Sequence, residues 1–369
     1  LRRQRQMCIR DSAGNGAFWL NNKTGKWCGS TYYGEFPWWG SQYNDQQSLD
    51  FRIKEIEWNP IYPITNYTFL PEWRTSPFKY KFEIEKENKF RRLITSPLVN
   101  DEINRFAEEI LDKSTIGKDD ITDLLALTYY AGNYNHRSIQ ECAMEMQDTY
   151  ARLDRSIANL LDMLERKVGL QNILLCITST GYADPEGADV GIYRVPGGEF
   201  YLNRCATLLN MYLMATYGEG QYVEGFYDRQ IYLNHKLIEN KQLNLAKLQE
   251  KSAEFLVQFS GVNKVYSAYR LLLGSWSPEI EHIRNGFHRK RSGDLLIEVL
   301  PGWTIMQENS TDNRVVRAAD IPVPLILMGR GIKSETTHLP VSADHIAPTL
   351  TNFMRIRAPN ACIATALNY

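Results

Sequence analysis

The side chains best suited to chemistry in this sequence are few and widely spaced. Its six cysteines form no CxxC pair, so zinc-finger and thioredoxin-like sites gain no support. We expect His338 and His345 to lie in a surface loop and at a helix N-terminus, with a metal-binding pair as the alternative. The run from His282 to Arg291 contains four cations and two histidines. That run predicts either an anion-binding patch or a solvated hairpin.

Charge and composition exclude several classes of protein. The 369 residues carry 42 Lys and Arg against 43 Asp and Glu, a net charge of −1. A nucleic-acid binder with a broad positive field needs an excess of cations, so we expect no nucleic-acid partner. A content of 43% hydrophobic and 23% charged residues is typical of a folded globular chain. No run of about 20 apolar residues is present, which predicts no membrane span.

The elements that must position any site follow from hydrophobic periodicity. Apolar spacing of i, i+3 and i+4 predicts helices at about residues 100–111, 140–167, 204–215, 243–259 and 344–354. We expect Asn100 to be the N-cap of the first helix and Gly169 to end the second. Short apolar runs predict buried strands at about residues 122–129, 172–178, 293–300 and 323–328. The sequence therefore predicts an α/β fold with a mostly parallel sheet and helices on both faces.

In such a sheet, functional residues lie just past the carboxyl ends of the strands. The loops there would be residues 129–137, 179–187, 307–320 and 329–337. Four tyrosines crowd the first two loops, namely Tyr129, Tyr130, Tyr134 and Tyr182. They could line a binding cleft, or they could fill space inside the protein, and the sequence leaves both possibilities open.

The start of the chain and two long stretches complete the domain prediction. Residues 1–12 are basic and lack the apolar segment of a signal peptide, so we expect a leader that is not native. The domain would then run over residues 13–369 and be incomplete at its N-terminus. Residues 37–90, rich in proline and aromatics, and residues 187–292 are predicted to be insertions.

Four stretches of the sequence resemble one known family. They are AGNGAFWLNNKTGKWCGSTYY (13–33), MEMQDTYARLDRSIANLLDML (144–164), RSGDLLIEVLPGW (291–303) and GIKSETTHLPVSADHIAPTLTNFMRIRAPNACIATAL (331–367). Together they resemble the alkaline phosphatase superfamily, specifically its type I phosphodiesterase/nucleotide pyrophosphatase-like, PafA-type branch. The resemblance implies metal-assisted hydrolysis of phosphate esters, in which two zinc ions are held by Asp and His and a Thr or Ser attacks phosphorus.

This sequence departs from the family at the ligand positions that the resemblance identifies. Those positions carry Tyr129, Asn133, Thr180, Gly181 and Asn313. Tyr129 and Thr180 replace aspartates, and the other three residues replace histidines. A phenol is a poor zinc ligand at neutral pH, and glycine has no side chain. The family's nucleophile, its first Asp ligand and its Lys/Arg phosphate clamp would lie upstream of Ala13.

The leading hypothesis is a pseudophosphatase with no catalytic residue, no metal or other cofactor, and a binding or scaffold role. Its partner would be an unknown protein or an anionic small molecule, and the resemblance implies a bacterial periplasmic or otherwise exported protein. The alternative is an active phosphomonoesterase or phosphodiesterase whose zinc site is rebuilt from His136, Asp184 and Asp312. A third possibility is that this portion of the domain has no function alone.

Overall fold

The computed structural model describes residues 15–84, 88–134, 141–179, 197–274, 277–306, 314–316, 322–329, 331–360 and 362–367. Its α-helices are α1 (Trp38–Gln46), α2 (Leu49–Arg52), α3 (Lys89–Ile94), α4 (Val99–Lys113), α5 (Ala143–Lys167), α6 (Leu202–Tyr217), α7 (His235–Asn240), α8 (Leu245–Leu256), α9 (Ala268–Leu273), α10 (Pro278–Asn285) and α11 (Ile346–Phe353). Its strands are β1 (Phe18–Leu20), β2 (Trp27–Gly29), β3 (Glu57–Trp58), β4 (Tyr80–Lys81), β5 (Leu174–Thr178), β6 (Glu199–Tyr201), β7 (Val223–Tyr227), β8 (Gln230–Leu233), β9 (Val262–Ser267), β10 (Leu295–Val299), β11 (Thr304–Met306), β12 (Arg314–Val315) and β13 (Leu325–Gly329).

The chain divides into two compact units. Unit 1 comprises Leu1–Tyr182 and Pro322–Tyr369, and unit 2 comprises Ala183–Ile321. Among the residues that the structure describes, no helix is long and apolar enough to cross a membrane. The domain and insertion boundaries drawn from the sequence stay predictions.

Two amphipathic helices form the frame of unit 1. The apolar stripe of α4 is buried, including Phe106, Ala107 and Leu111, as its spacing predicted. The longer α5 packs against α4 and ends where predicted, because Gly169 has a φ of +85° that favours glycine. Both helices therefore confirm the periodicity argument.

The strand pairing differs from the predicted mostly parallel sheet, although the elements are those of an α/β fold. In unit 1, β5 pairs antiparallel with β13, with Thr178 opposite Leu325 and Leu174 opposite Gly329. Among the ladders of the described residues, only that between β6 and β11 is parallel. The loops after β5 and β13 consequently leave opposite ends of their ladder, so they do not share an edge as predicted.

The predicted buried strand at residues 122–129 is wrong. The segment has no regular secondary structure and belongs to no ladder of the described residues. Leu125, Leu127 and Tyr129 pack on the cluster formed by α4 and α5, whereas Leu124 is 67% exposed. An apolar run of strand length indicates burial on at least one side, but it does not specify a hydrogen-bonding partner.

Several aromatic residues of the region after β2 pack in the core of unit 1. Two buried carboxylates pin this region to the long helices. Glu102 of α4 accepts hydrogen bonds from Trp27 Nε1 and Tyr43 Oη, both at 3.0 Å, and lies 2.7 Å from Arg52. These donors come from separate segments, so Glu102 joins β2, α1 and α2 to α4.

Asp148 of α5 is the second carboxylate. It is fully buried and accepts hydrogen bonds from Trp58 Nε1 (2.6 Å), the Ile61 amide (2.7 Å) and Tyr67 Oη (2.8 Å). Arg152, one turn later, neutralises it through an Nε contact of 2.8 Å. This carboxylate of the DTYARLD motif therefore organises packing.

Unit 2 is built on an antiparallel sheet with the strand order β7-β8-β10-β9, against which α6 and α8 pack. Asp294, at the start of β10, accepts from the Leu233 amide and from Gln249 Nε2, each at 2.8 Å. His235 Nε2 lies 2.8 Å from the same carboxylate. The GD of the GDLLIEVLPGW motif thus fixes α7 and α8 to the sheet.

Candidate functional site

Residue 129, where the resemblance implies an aspartate ligand, is a tyrosine whose hydroxyl already forms a hydrogen bond. Tyr129 Oη donates a hydrogen bond to Asn104 Oδ1 of α4. Asn104 Nδ2 in turn donates to the Ser156 carbonyl of α5 at 2.8 Å. Burial, and then the nearby carboxylate of Asp101, raise the pKa of Tyr129 well above its usual value near 10. The phenol is therefore neutral at physiological pH, and its proton is held in the hydrogen bond to α4.

The next residues are tied to the same helix. Asn100 Nδ2 donates to the Tyr130 carbonyl at 2.9 Å, and the Tyr130 amide donates to Asn100 Oδ1 at 2.7 Å. Tyr130 Oη donates to the Asn133 carbonyl at 2.5 Å, and Asn133 is only 4% exposed. The segment from Tyr129 to Asn133 is therefore held by one hydrogen bond within it and by two to Asn100.

Asn100 corrects a prediction. It is not the N-cap of α4, because that position belongs to Leu98 and Asn100 lies inside the first turn. Its side chain is completely buried and pairs with the backbone of Tyr130 instead. The preference of asparagine for N-cap positions does not indicate that its side chain will bond to a residue 30 positions away. The only sequence signal was two asparagines, Asn100 and Asn104, spaced i, i+4 on one side of a helix.

The tyrosines of this region fill space in the core of unit 1. Tyr130 and Tyr134 are 2% and 1% exposed, so neither lines a cleft. Tyr182 lies outside the described residues.

A separate polar cleft of about 420 Å³ lies between α4 and α5. Its lining residues are Asp101, Asn104, Arg105, Glu108, Asn159, Asp162, Met163 and Arg166.

The remaining predicted positions cannot be located. Thr180, Gly181 and Asn313 lie outside the described residues, as do all three candidates for a relocated site, His136, Asp184 and Asp312. The structure therefore places only Tyr129 and Asn133 of the five replaced positions, and the predicted clustering of all five stays a prediction. Within the described ranges, no three His, Cys, Asp or Glu side chains come together as a metal site.

The two described positions do not fit zinc. A tyrosine ligand must lose its proton, and here that proton is held in the bond to Asn104 while burial opposes the phenolate. Asn133 presents an amide where the family presents an imidazole, and zinc sites in proteins use Cys, His, Asp and Glu. No step of metal chemistry is assigned to this pair.

The structure also describes other candidate histidines, among them His345 and His288, and several cysteines. His345 precedes α11, as predicted, and its Nδ1 lies 2.8 Å from the Thr365 carbonyl. His288 lies in a hydrogen-bonded turn after α10. No disulfide joins the described cysteines. Cys176 lies in β5 and is half-buried, which raises the pKa of its thiol.

Comparisons of sequence and of structure both found alkaline phosphatases among the similar proteins, together with a calcium-transporting ATPase of Myroides odoratus that is 27% identical over 372 residues, covering 96% of this chain and 68% of that relative. The family model for type I phosphodiesterase/nucleotide pyrophosphatase matches residues 6–321. Alkaline phosphatase PafA of Elizabethkingia meningoseptica is 27% identical over 364 residues, covering 94% of this chain and 66% of the relative. Alkaline phosphatase PhoV of Synechococcus elongatus is 26% identical over 371 residues, covering 96% and 66%. The chain spans about two thirds of the length of these relatives.

A solved structure extends the comparison to the fold. The crystal structure of wild-type alkaline phosphatase PafA superposes with a TM-score of 0.73 at 26% identity. The match covers 95% of this chain and 70% of that chain. The chain therefore has the α/β fold of the alkaline phosphatases.

Proposed function

Because the chain belongs to the type I phosphodiesterase/nucleotide pyrophosphatase family, whose members are phosphoric ester hydrolases, we propose that it is a catalytically degenerate, PafA-type member. It would bind a protein or an anionic small molecule, or act as a scaffold, without turning over a phosphate ester. By analogy with its relatives we place it in a bacterial periplasm or outside the cell.

The observation that carries this proposal is the role of Tyr129. In a zinc phosphatase this position must supply a negative oxygen to a cation. Here it supplies a neutral phenol that joins Asn104 to the turn between α4 and α5. The burial that raises the pKa of this phenol also stabilises the fold, so the position now serves packing.

The surrounding chemistry supports the same conclusion. Zinc lowers the barrier in such hydrolases by neutralising charge on the phosphoryl oxygens and on the attacking and leaving groups. Each metal needs about three protein ligands. Five of the positions that would provide them carry Tyr, Asn, Thr, Gly and Asn in this sequence. With such side chains the charge of a phosphate ester would remain uncompensated.

The competing hypothesis is a zinc phosphatase rebuilt around His136, Asp184 and Asp312. It requires three side chains, each displaced from the family's register, to converge within metal-ligand distance. His136→Ala is its most informative variant, because an imidazole is the strongest zinc ligand of the three and alanine is unable to coordinate.

The experiment that separates the two hypotheses is turnover of an aryl phosphate and an aryl phosphodiester by the purified chain with added zinc. We expect no turnover above the zinc-only background, and no difference between the chain and its His136→Ala variant. Turnover that requires zinc and disappears in His136→Ala, with normal folding by circular dichroism, would establish the active alternative.

A further inference from the structure

The basic run identified in the sequence forms a structured turn at the surface of unit 2. The His288 carbonyl accepts hydrogen bonds from the amides of Arg291 (3.0 Å) and Ser292 (2.8 Å). The His288 amide donates to Ser292 Oγ at 2.9 Å. Residues 288–291 are all exposed. We call residues 288–292 the basic turn.

The basic turn is fixed to the sheet of unit 2. Tyr232 Oη of β8 donates to the Arg291 carbonyl at 3.2 Å. Immediately after the turn, the Gly293 amide donates to Gln230 Oε1 at 2.7 Å. The backbone that carries the cations is thus fixed at one place on the surface. Binding a partner therefore costs less conformational entropy than it would for a flexible loop.

Within the part of the chain that the structure describes, the side chains of Arg289, Lys290 and Arg291 form no ion pair. Three adjacent cations are therefore concentrated on a protein whose net charge is only −1. Such a local field attracts an anionic partner over about 10 Å at ordinary ionic strength.

The neighbouring short helix α9 adds exposed apolar surface. Tyr269, Leu272 and Leu273 are 53%, 40% and 72% exposed, whereas Leu271 is buried. A helix that buries one leucine and exposes two others, together with a tyrosine, leaves apolar area in water.

Both features occupy the same corner of unit 2. The first amide of α9, that of Ala268, donates to the Asp294 carbonyl at 2.8 Å, two residues beyond the basic turn. Helix α9 also packs against α10, which leads directly into that turn. The basic turn and α9 are therefore joined, through Asp294 and α10, in one part of unit 2.

We propose that this corner is a peripheral binding surface for anionic phospholipid. The guanidinium and ammonium groups would pair with lipid phosphates, and Leu272 and Leu273 would enter the boundary between headgroups and acyl chains. A soluble anion would need only the cations for binding. The exposed leucines would add contacts only to a partner with apolar groups, so they favour a lipid surface. This role is independent of whether the chain hydrolyses phosphate esters.

The test is cosedimentation of the full chain with vesicles of phosphatidylcholine containing 30 mol% phosphatidylglycerol, and with phosphatidylcholine alone (about 30% anionic lipid provides the surface potential required). We expect binding to the anionic vesicles only, weakening as salt rises. Removing all three cations in R289A/K290A/R291A should weaken partitioning about a hundredfold, since each cation near the surface contributes about fivefold.

A matched control, K236A/K247A/K251A, removes the same charge from exposed lysines elsewhere in unit 2 and should bind within about threefold of the parent chain. The variant L272S/L273S should lose about tenfold, whereas L208S/M211S, which changes two exposed apolar residues of α6, should not.

Equal binding to both vesicle types, or equal losses in the basic-turn and control triple variants, would overturn the proposal. Retention on heparin without binding to anionic vesicles would overturn it too, in favour of a soluble polyanion. Circular dichroism of each variant establishes that any loss is not a loss of folding.

Discussion

Replacing Asp148 with alanine would remove the acceptor around which the aromatic region of unit 1 is organised. Three donors from residues 58–67 and one cation from α5 converge on this carboxylate. It is fully buried, as is the indole of Trp58, so water does not take its place without rearrangement. The variant therefore tests whether this motif residue is structural.

The expected loss follows from the contacts. Leaving a buried donor unsatisfied costs about 1–3 kcal/mol, and Trp58 Nε1 and Tyr67 Oη are both buried. Removing one member of a buried ion pair costs about 3–5 kcal/mol when the other charge is left buried without a partner. Arg152 is 23% exposed, so water can solvate its charge and this part of the loss is smaller. We therefore expect Asp148→Ala to lower the free energy of unfolding by about 4 kcal/mol.

Two further variants calibrate that loss. Asp148→Asn keeps the shape and one acceptor oxygen but presents an amide NH₂ to donors, so we expect a loss of about 2 kcal/mol. Asp154→Ala removes an exposed carboxylate from the same helix and should change stability by less than about 0.5 kcal/mol.

The assay is urea unfolding followed by tryptophan fluorescence. Of the eight tryptophans, only Trp276 and Trp303 belong to unit 2, so the signal reports mainly on unit 1. An Asp148→Ala variant that unfolds within about 1 kcal/mol of the parent chain would refute the assignment of Asp148 as the centre of this packing.

Three other predictions each concern a single residue. Tyr129→Phe leaves Asn104 without its donor and should lower the free energy of unfolding by about 1 kcal/mol in the urea assay, with an unchanged value contradicting its structural role. Gly261→Ala should destabilise unit 2 by about 2 kcal/mol or more, measured as faster proteolysis, because its φ is +86° and an added Cβ would overlap the indole ring of Trp303. Burial, with help from a neighbouring carboxylate, raises the pKa of Tyr67 to about 12, so the folded chain holds a proton that the unfolded chain releases near pH 10. Stability should thus fall as pH rises from about 10 to 12, and Tyr67→Phe should flatten that decline in urea titrations at pH 9 and 11.

Local periodicity was sufficient to predict five of the eleven α-helices of the described residues, namely α4, α5, α6, α8 and α11. The stripe of α4, the length of α5 and its end at Gly169 all follow from spacing and from one residue suited to positive φ. The same reasoning located β5 and β13 within two residues but not their antiparallel pairing, since partner choice depends on tertiary contacts.

Long-range polar contacts were the part that the sequence did not predict. Glu102 and Asp148 lie on helices, where a carboxylate normally faces water. Both are nevertheless buried, and each accepts hydrogen bonds from donors that lie at least 50 residues away in the sequence. Asn104 is similar, because its partner Tyr129 arrives from a segment expected to be a strand. For the candidate site, the replacement of five ligand positions stays a prediction, and the hydrogen bond that the Tyr129 phenol donates to Asn104 was not predictable from the sequence.

Zinc content is the measurement that tests the central proposal most directly. The purified chain would be equilibrated with a small excess of zinc, passed through a desalting column and analysed by plasma mass spectrometry alongside its Tyr129→Phe variant. The pseudophosphatase account predicts well under one zinc ion per chain, with both proteins equal. Roughly two tightly held zinc ions per chain, as a two-metal phosphatase site requires, would contradict it.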